Sequence, residues 1–139
     1  MPARRGNVGD PTTRNALLDS IETTIGASAV LKLRTGAPPA TVATADSGTV
    51  VATMTLPSDW MAAASSGTKA KSGTWEDTSA DNAGTVAHFR IYASDGTTAH
   101  MQGTVTATGG GGDLTLDNST LTAAQAVSIN TFVLTAPGA

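Results

Sequence analysis

Between Gly84 and Val105 the chain reads Gly-Thr-Val-Ala-His-Phe-Arg-Ile-Tyr-Ala-Ser-Asp-Gly-Thr-Thr-Ala-His-Met-Gln-Gly-Thr-Val, two alternating runs around an Asp-Gly turn. Phe89, Ile91 and Ala93 alternate with His88, Arg90 and Tyr92, the period-2 pattern of a half-buried strand. Ala99, Met101 and Val105 alternate likewise with Thr98, His100 and Gln102. A two-residue Asp95-Gly96 turn would put Phe89 and Ile91 on the face of His100 and Gln102. A three-residue Ser94-Asp95-Gly96 loop, with Gly96 at positive φ in a bulge, pairs Ala93 with Thr97 and gathers every apolar residue on one face. The pattern therefore predicts the three-residue loop, with His88 opposite Gln102 and Arg90 opposite His100.

The rest of the chain is consistent with a β-rich domain. Thr and Ala together make up roughly a third of the residues, well above ordinary usage, whereas aromatics are only 4% of the 139. Thr suits strands, but a buried Ala removes little area from water, at about 25 cal/mol per Å². An Ala-rich core predicts marginal stability for a monomer, with association supplying the missing burial.

The segment 1–10 has Pro, two Gly and no periodicity, and is expected to be a flexible N-terminal arm preceding a single β-rich domain over 11–139. Asp10-Pro11 reads as a helix start, and Leu17, Leu18, Ile21 and Ile25 form one apolar stripe. Gly26 is placed to end that helix in the left-handed conformation. The stripe could pack on the chain's own sheet or on a neighbouring subunit.

A strand over 29–35 would send Leu31 and Leu33 inward and Lys32 and Arg34 outward, ending at the Pro38-Pro39 pair. After a small-residue connector over 40–48, a strand over 48–56 would carry Val50, Ala52, Met54 and Leu56 on one side. Pro57 to Trp60 reads as a turn with an anchoring aromatic. The segment 61–71 is of low complexity and reads as a weakly ordered surface loop. Short strands are expected around Trp75 and over 114–116, a flexible loop over the four glycines 109–112, and one last strand over 127–135. The fold class expected is mainly β, an antiparallel β-sandwich or small barrel with one N-terminal amphipathic helix.

Little in the chain points to reaction chemistry. The net charge of −3 and the lack of a basic run with interleaved aromatics argue against nucleic acid. No apolar run approaches a membrane span, and no apolar stretch follows the N-terminal arginines as a secretory signal would require. With no cysteine, disulfides and thiolate zinc sites are excluded. The expected product is soluble and intracellular. The four-glycine run lacks the Lys-Ser/Thr of a phosphate loop.

His88 and His100 are the only imidazoles and lack a third ligand, so no metal, cofactor or catalytic residue is assigned. With Arg90, Tyr92 and Gln102 they form a polar sheet face, solvated or used at an interface. Asp77-x-Ser79-x-Asp81 starts like a calcium loop, but Asn82 and His88 stand where Gly and Glu are needed, and it reads as a capped turn. Trp60 and Trp75 read as core or interface anchors, with sugar stacking as the alternative. Arg4, Arg5 and Arg14 form a basic cluster, either a solvated tail or an arm that reaches an acidic partner.

The order of motifs carries a resemblance. A helical entry precedes Leu31-Lys-Leu-Arg-Thr-Gly-Ala-Pro-Pro39 and Gly48-Thr-Val-Val-Ala-Thr-Met-Thr-Leu56. Then come Asp77 to Thr97 and Met101-Gln-Gly-Thr-Val105. Over roughly residues 14–135 this resembles the small accessory virion proteins of tailed bacteriophages, most of all the capsid decoration, or cement, proteins. The resemblance implies a β-rich structural protein without catalytic residues, assembled in the host cytoplasm and carried on the capsid exterior. It also implies the major capsid protein as partner and a homo-oligomer, most simply a homotrimer. A tail or head–tail connector component is the nearest alternative, and a carbohydrate-binding module of a tail tip a more distant one.

Overall fold

A computed structural model describes residues 10–136. The expected arm, with Arg4 and Arg5, lies outside the described residues except for Asp10. Asp10 caps helix α1 (Pro11–Ile25), its side chain accepting from the Thr12 amide and its carbonyl from the Arg14 amide. Gly26 ends the helix at positive φ, but with ψ 174° it is extended rather than left-handed helical, and its amide still bonds the Glu22 carbonyl.

Among the described residues ten strands follow, so the structure is mainly β, as expected. β1 (Val30–Thr35), β2 (Val50–Thr55), β5 (Gly84–Tyr92), β6 (Ala99–Ala107) and β7 (Leu114–Leu116) make a sheet in the order β2-β1-β5-β6-β7, curled into a half-barrel. β8 (Thr120–Leu121) pairs with the start of β5. Two ribbons complete the structure: β3 (Thr68–Ala70) with β10 (Val133–Thr135), and β4 (Trp75–Asp77) with β9 (Val127–Ile129).

The core lies between ribbons and sheet. Leu31 and Leu33 of β1, Met54 of β2 and Phe89 and Ile91 of β5 are buried on the sheet side, as their alternation predicts. In β2 a bulge opposite Leu33 and Arg34 puts Val51, rather than Val50, in the core. Trp60, Trp75, Phe132 and Phe89 form a chain of rings with successive centroids 6.0, 5.6 and 5.6 Å apart. With Tyr92, all five aromatics of the chain are buried. The core is therefore concentrated around large rings, not spread thinly over alanines.

The hairpin keeps its predicted faces up to Ile91 and from Met101 on, but not its predicted register. His88 lies opposite Thr104, Arg90 opposite Gln102 and Ile91 opposite Met101, two residues from the expected pairing. A shift of two leaves the side chains from His88 to Ile91 and from Met101 to Thr104 on their faces, because the strand period is two, whereas Ala99, beyond a bulge, moves to the face of Tyr92. The Asp95 carboxylate accepts from the amides of Thr97 and Thr98, which draws Thr97 into the turn and makes a four-residue loop over 94–97. His100, the extra residue between the Ile91–Met101 and Tyr92–Ala99 pairs, then bulges.

Three further expectations are corrected. Segment 61–71 is ordered against α1. Asn15, Asp19 and Glu22, along one face of the helix, accept from the backbone amides of Gly67, Ala64 and Met61. Lys69 is buried, with its ammonium 2.7 Å from Asp19, 3.0 Å from Glu22 and 2.8 Å from the Ala62 carbonyl. The expected final strand breaks into β9 and β10, because Phe132 turns into the core and Val133 is left 52% exposed.

The glycine run is a compact return, not a flexible loop. It carries the chain back along β6 so that β7 pairs parallel to it, the one parallel pair in an otherwise antiparallel sheet. A Cβ at Gly112 would lie 2.8 Å from the Thr106 amide nitrogen, and Gly109 and Gly111 have φ of 90° and 82°.

Candidate functional site: a polar face under a strap

The other face of β1, β5 and β6 carries Arg34, His88, Arg90, Tyr92 and Gln102. The sequence pattern reads this face as solvated or used at an interface. In the structure His88 and Tyr92 are fully buried, and Arg34 and Arg90 nearly so. Residues 36–49 cover it as a strap, closed at its base where Thr35 and Thr49 exchange bonds through the Thr49 carbonyl and the Thr35 hydroxyl.

The strap is held through its backbone and one carboxylate. Asp46 accepts from Arg34 at 3.0 Å, from Arg90 at 2.8 Å and from the Tyr92 hydroxyl at 2.8 Å. Arg90 also donates to the carbonyls of Thr41 and Thr44 and to Gln102, whose amide in turn donates to the Pro39 carbonyl. Arg34 reaches the carbonyls of Ser47 and Gly48 and the Tyr92 oxygen. His88 donates through Nδ1 to the Gly36 carbonyl at 2.6 Å. Carbonyls and carboxylates only accept, so a guanidinium fork suits a cover made of backbone.

The electrostatics follow from this arrangement. Burial acts against the charge of Asp46, but the Tyr92 hydroxyl and the two arginines outweigh it and hold its pKa below the ordinary 3.8. Burial, with Asp46 as hydrogen-bond partner, raises the Tyr92 phenol. Burial, reinforced by Arg34 and Arg90, lowers His88.

The remaining sequence-derived residues lie elsewhere. His100 is exposed on its bulge beside Ser20, Ile21 and Thr24 of α1. Arg14 is not part of a free basic tail: its guanidinium lies against Gly67 and donates to the Ala136 carbonyl at 2.9 Å, fastening the helix to the end of β10. Trp60 and Trp75 donate to the carbonyls of Gly26 and Ser72, and their buried rings leave no stacking face for a sugar. The Asp77–Asp81 segment is a capped turn: Asp77 accepts from the amides of Ser79 and Thr53, and Asp81 from the Thr53 hydroxyl.

Among the described residues no group of three His, Asp or Glu is placed to hold a metal ion, and no helix is long and apolar enough to cross a membrane. Sequence reasoning missed Asp46 and the burial of Arg34. The available signal was a lone acid in the neutral stretch 36–49, facing strands that carry two arginines on one face. No protein-family model matches the chain, and neither a curated protein nor a solved structure matches it.

Proposed function

We propose that the protein is a structural virion component that decorates and stabilises a phage capsid. It would act from the exterior as a homo-oligomer, most simply a trimer, docked on the major capsid protein. The observation that carries this reading is where the chain places its polar groups. Arg34, Arg90, Tyr92, Gln102 and Asp46 are engaged in holding the strap to the sheet, and Lys69, Asp19 and Glu22 in holding α1 to the segment beside it. Such a body is fastened for shape. Its motif order also resembles that of decoration proteins.

Leu17 and Val133 are the exposed large apolar side chains among the described residues, and they offer contact area for association. The test is the absolute mass in solution by light scattering behind a sizing column, followed by sedimentation with isolated shells. A trimer near three times 13.8 kDa that co-sediments with shells supports the reading. A larger ring that ignores shells transfers the protein to the tail or connector. A species that neither associates nor binds shells refutes both.

A further inference from the structure

The two nitrogens of the buried His88 ring are unequally served. Nδ1 donates to the Gly36 carbonyl, while Nε2 is buried with no hydrogen-bond partner among the described residues. The ring is therefore neutral in the closed structure, with its proton on Nδ1. Arg34 faces it from β1, Arg90 flanks it on β5, and the strap contributes Asp46; Thr104, opposite on β6, does not titrate.

We infer that the strap over 36–49 is a latch released by acid, and that His88 is the group whose protonation releases it. A proton on Nε2 adds a third cation beside two guanidiniums that share one carboxylate, and creates a buried N–H with no acceptor. Lifting the strap relieves both by admitting water. The strap is suited to this, since its residues are mostly exposed and its grip is polar.

The closed state holds the His88 pKa below the ordinary 6.5, so the open state takes up the proton first. The closed strap thus has its full advantage above pH 6.5. It loses that advantage progressively as the pH falls below 6.5 toward the lower closed-state value. Asp46 acts in the same direction, but only from about 3.8 downward, so its loss begins at a lower pH than that of His88. An open strap presents Arg34, Arg90 and Tyr92, giving the middle of the sheet a cationic face in acid.

The test is hydrogen exchange of the whole protein at pH 7.5 and 5.0, corrected for intrinsic exchange rates. Protection over 36–49 should fall by up to about thirty-fold at pH 5.0, from a free imidazole near 6.5, while β4 and β9 keep theirs. His88→Asn, whose amide can donate to Gly36 as Nδ1 does, should show no such fall. Equal protection at both pH values, an unchanged response in His88→Asn, or a parallel loss in β4 and β9 would each overturn the inference. Should His88→Asn not fold, an NMR titration of the wild-type imidazole decides. A midpoint below 6.5 that tracks strap exchange upholds the latch, and one at or above 6.5 refutes it.

Discussion

Asp46→Ala removes the one carboxylate that two guanidiniums and a phenol share. The Arg34 and Arg90 side chains are only 8% and 2% exposed, whereas that of Asp46 is 39% exposed. Breaking a fully buried pair from one side costs about 3–5 kcal/mol, because the remaining charge stays desolvated. Here water can enter where the carboxylate stood, and solvent screening reduces the loss to about 2–3 kcal/mol. For a domain between the size classes usually surveyed, that corresponds to a Tm lowered by roughly 6–15 °C.

Urea unfolding followed by tryptophan fluorescence is a suitable assay, since Trp60 and Trp75 report the core rather than the strap. Asp46→Asn, which keeps an acceptor but not the charge, should lose about half as much. In an Arg90→Met background the cost of Asp46→Ala should shrink, because one of the stranded charges is already gone. A change within about 0.5 kcal/mol for Asp46→Ala, typical of an unremarkable surface site, would refute the claim that this carboxylate pins the strap.

Two substitutions test the tight turns. Gly112→Ala should destabilise by about 2 kcal/mol, since its Cβ would press on the backbone of Thr106; an unchanged thermal midpoint would mean that the glycine return is not as close to β6 as described. Gly96→Val should cost about 1 kcal/mol or more through backbone strain alone, because φ is +72° and nothing lies within 4 Å of the added Cβ. A wild-type melting curve would refute the positive-φ turn.

The features that could be read from the sequence were those decided within a few residues. The Asp10-Pro11 cap and the stop at Gly26 bound α1 because each acts on its own turn. The alternation in β1 and β5 identified the core residues Leu31, Leu33, Phe89 and Ile91 even though the hairpin register was displaced by two, since face depends on parity and not on the partner. The hairpin loop failed locally, where the Asp95 carboxylate draws Thr97 into the turn, and the buried polar groups failed because they depend on distant cover. Lys69 lies in the segment 61–71 that reads as a weakly ordered surface loop, and only the placement of Asp19 and Glu22 along α1 makes its burial tolerable.

The polar face shows the limit of pattern reasoning most directly. Alternation distinguishes the two faces of a strand, but it equates "polar" with "outward" only when one face meets water. Here a backbone-rich loop covers the second face. A loop that buries itself against a sheet needs donors for its carbonyls, because its own amides are not arranged in a ladder. Arginine, glutamine and histidine at alternating positions supply those donors to the carbonyls of Gly36, Pro39, Thr41 and Thr44. The composition of the strap, neutral and small except for Asp46, complements a face carrying two guanidiniums. A lone acid in a neutral loop of this kind, next in sequence to a strand bearing arginine on its polar side, is therefore better evidence of a covered face than of an exposed one.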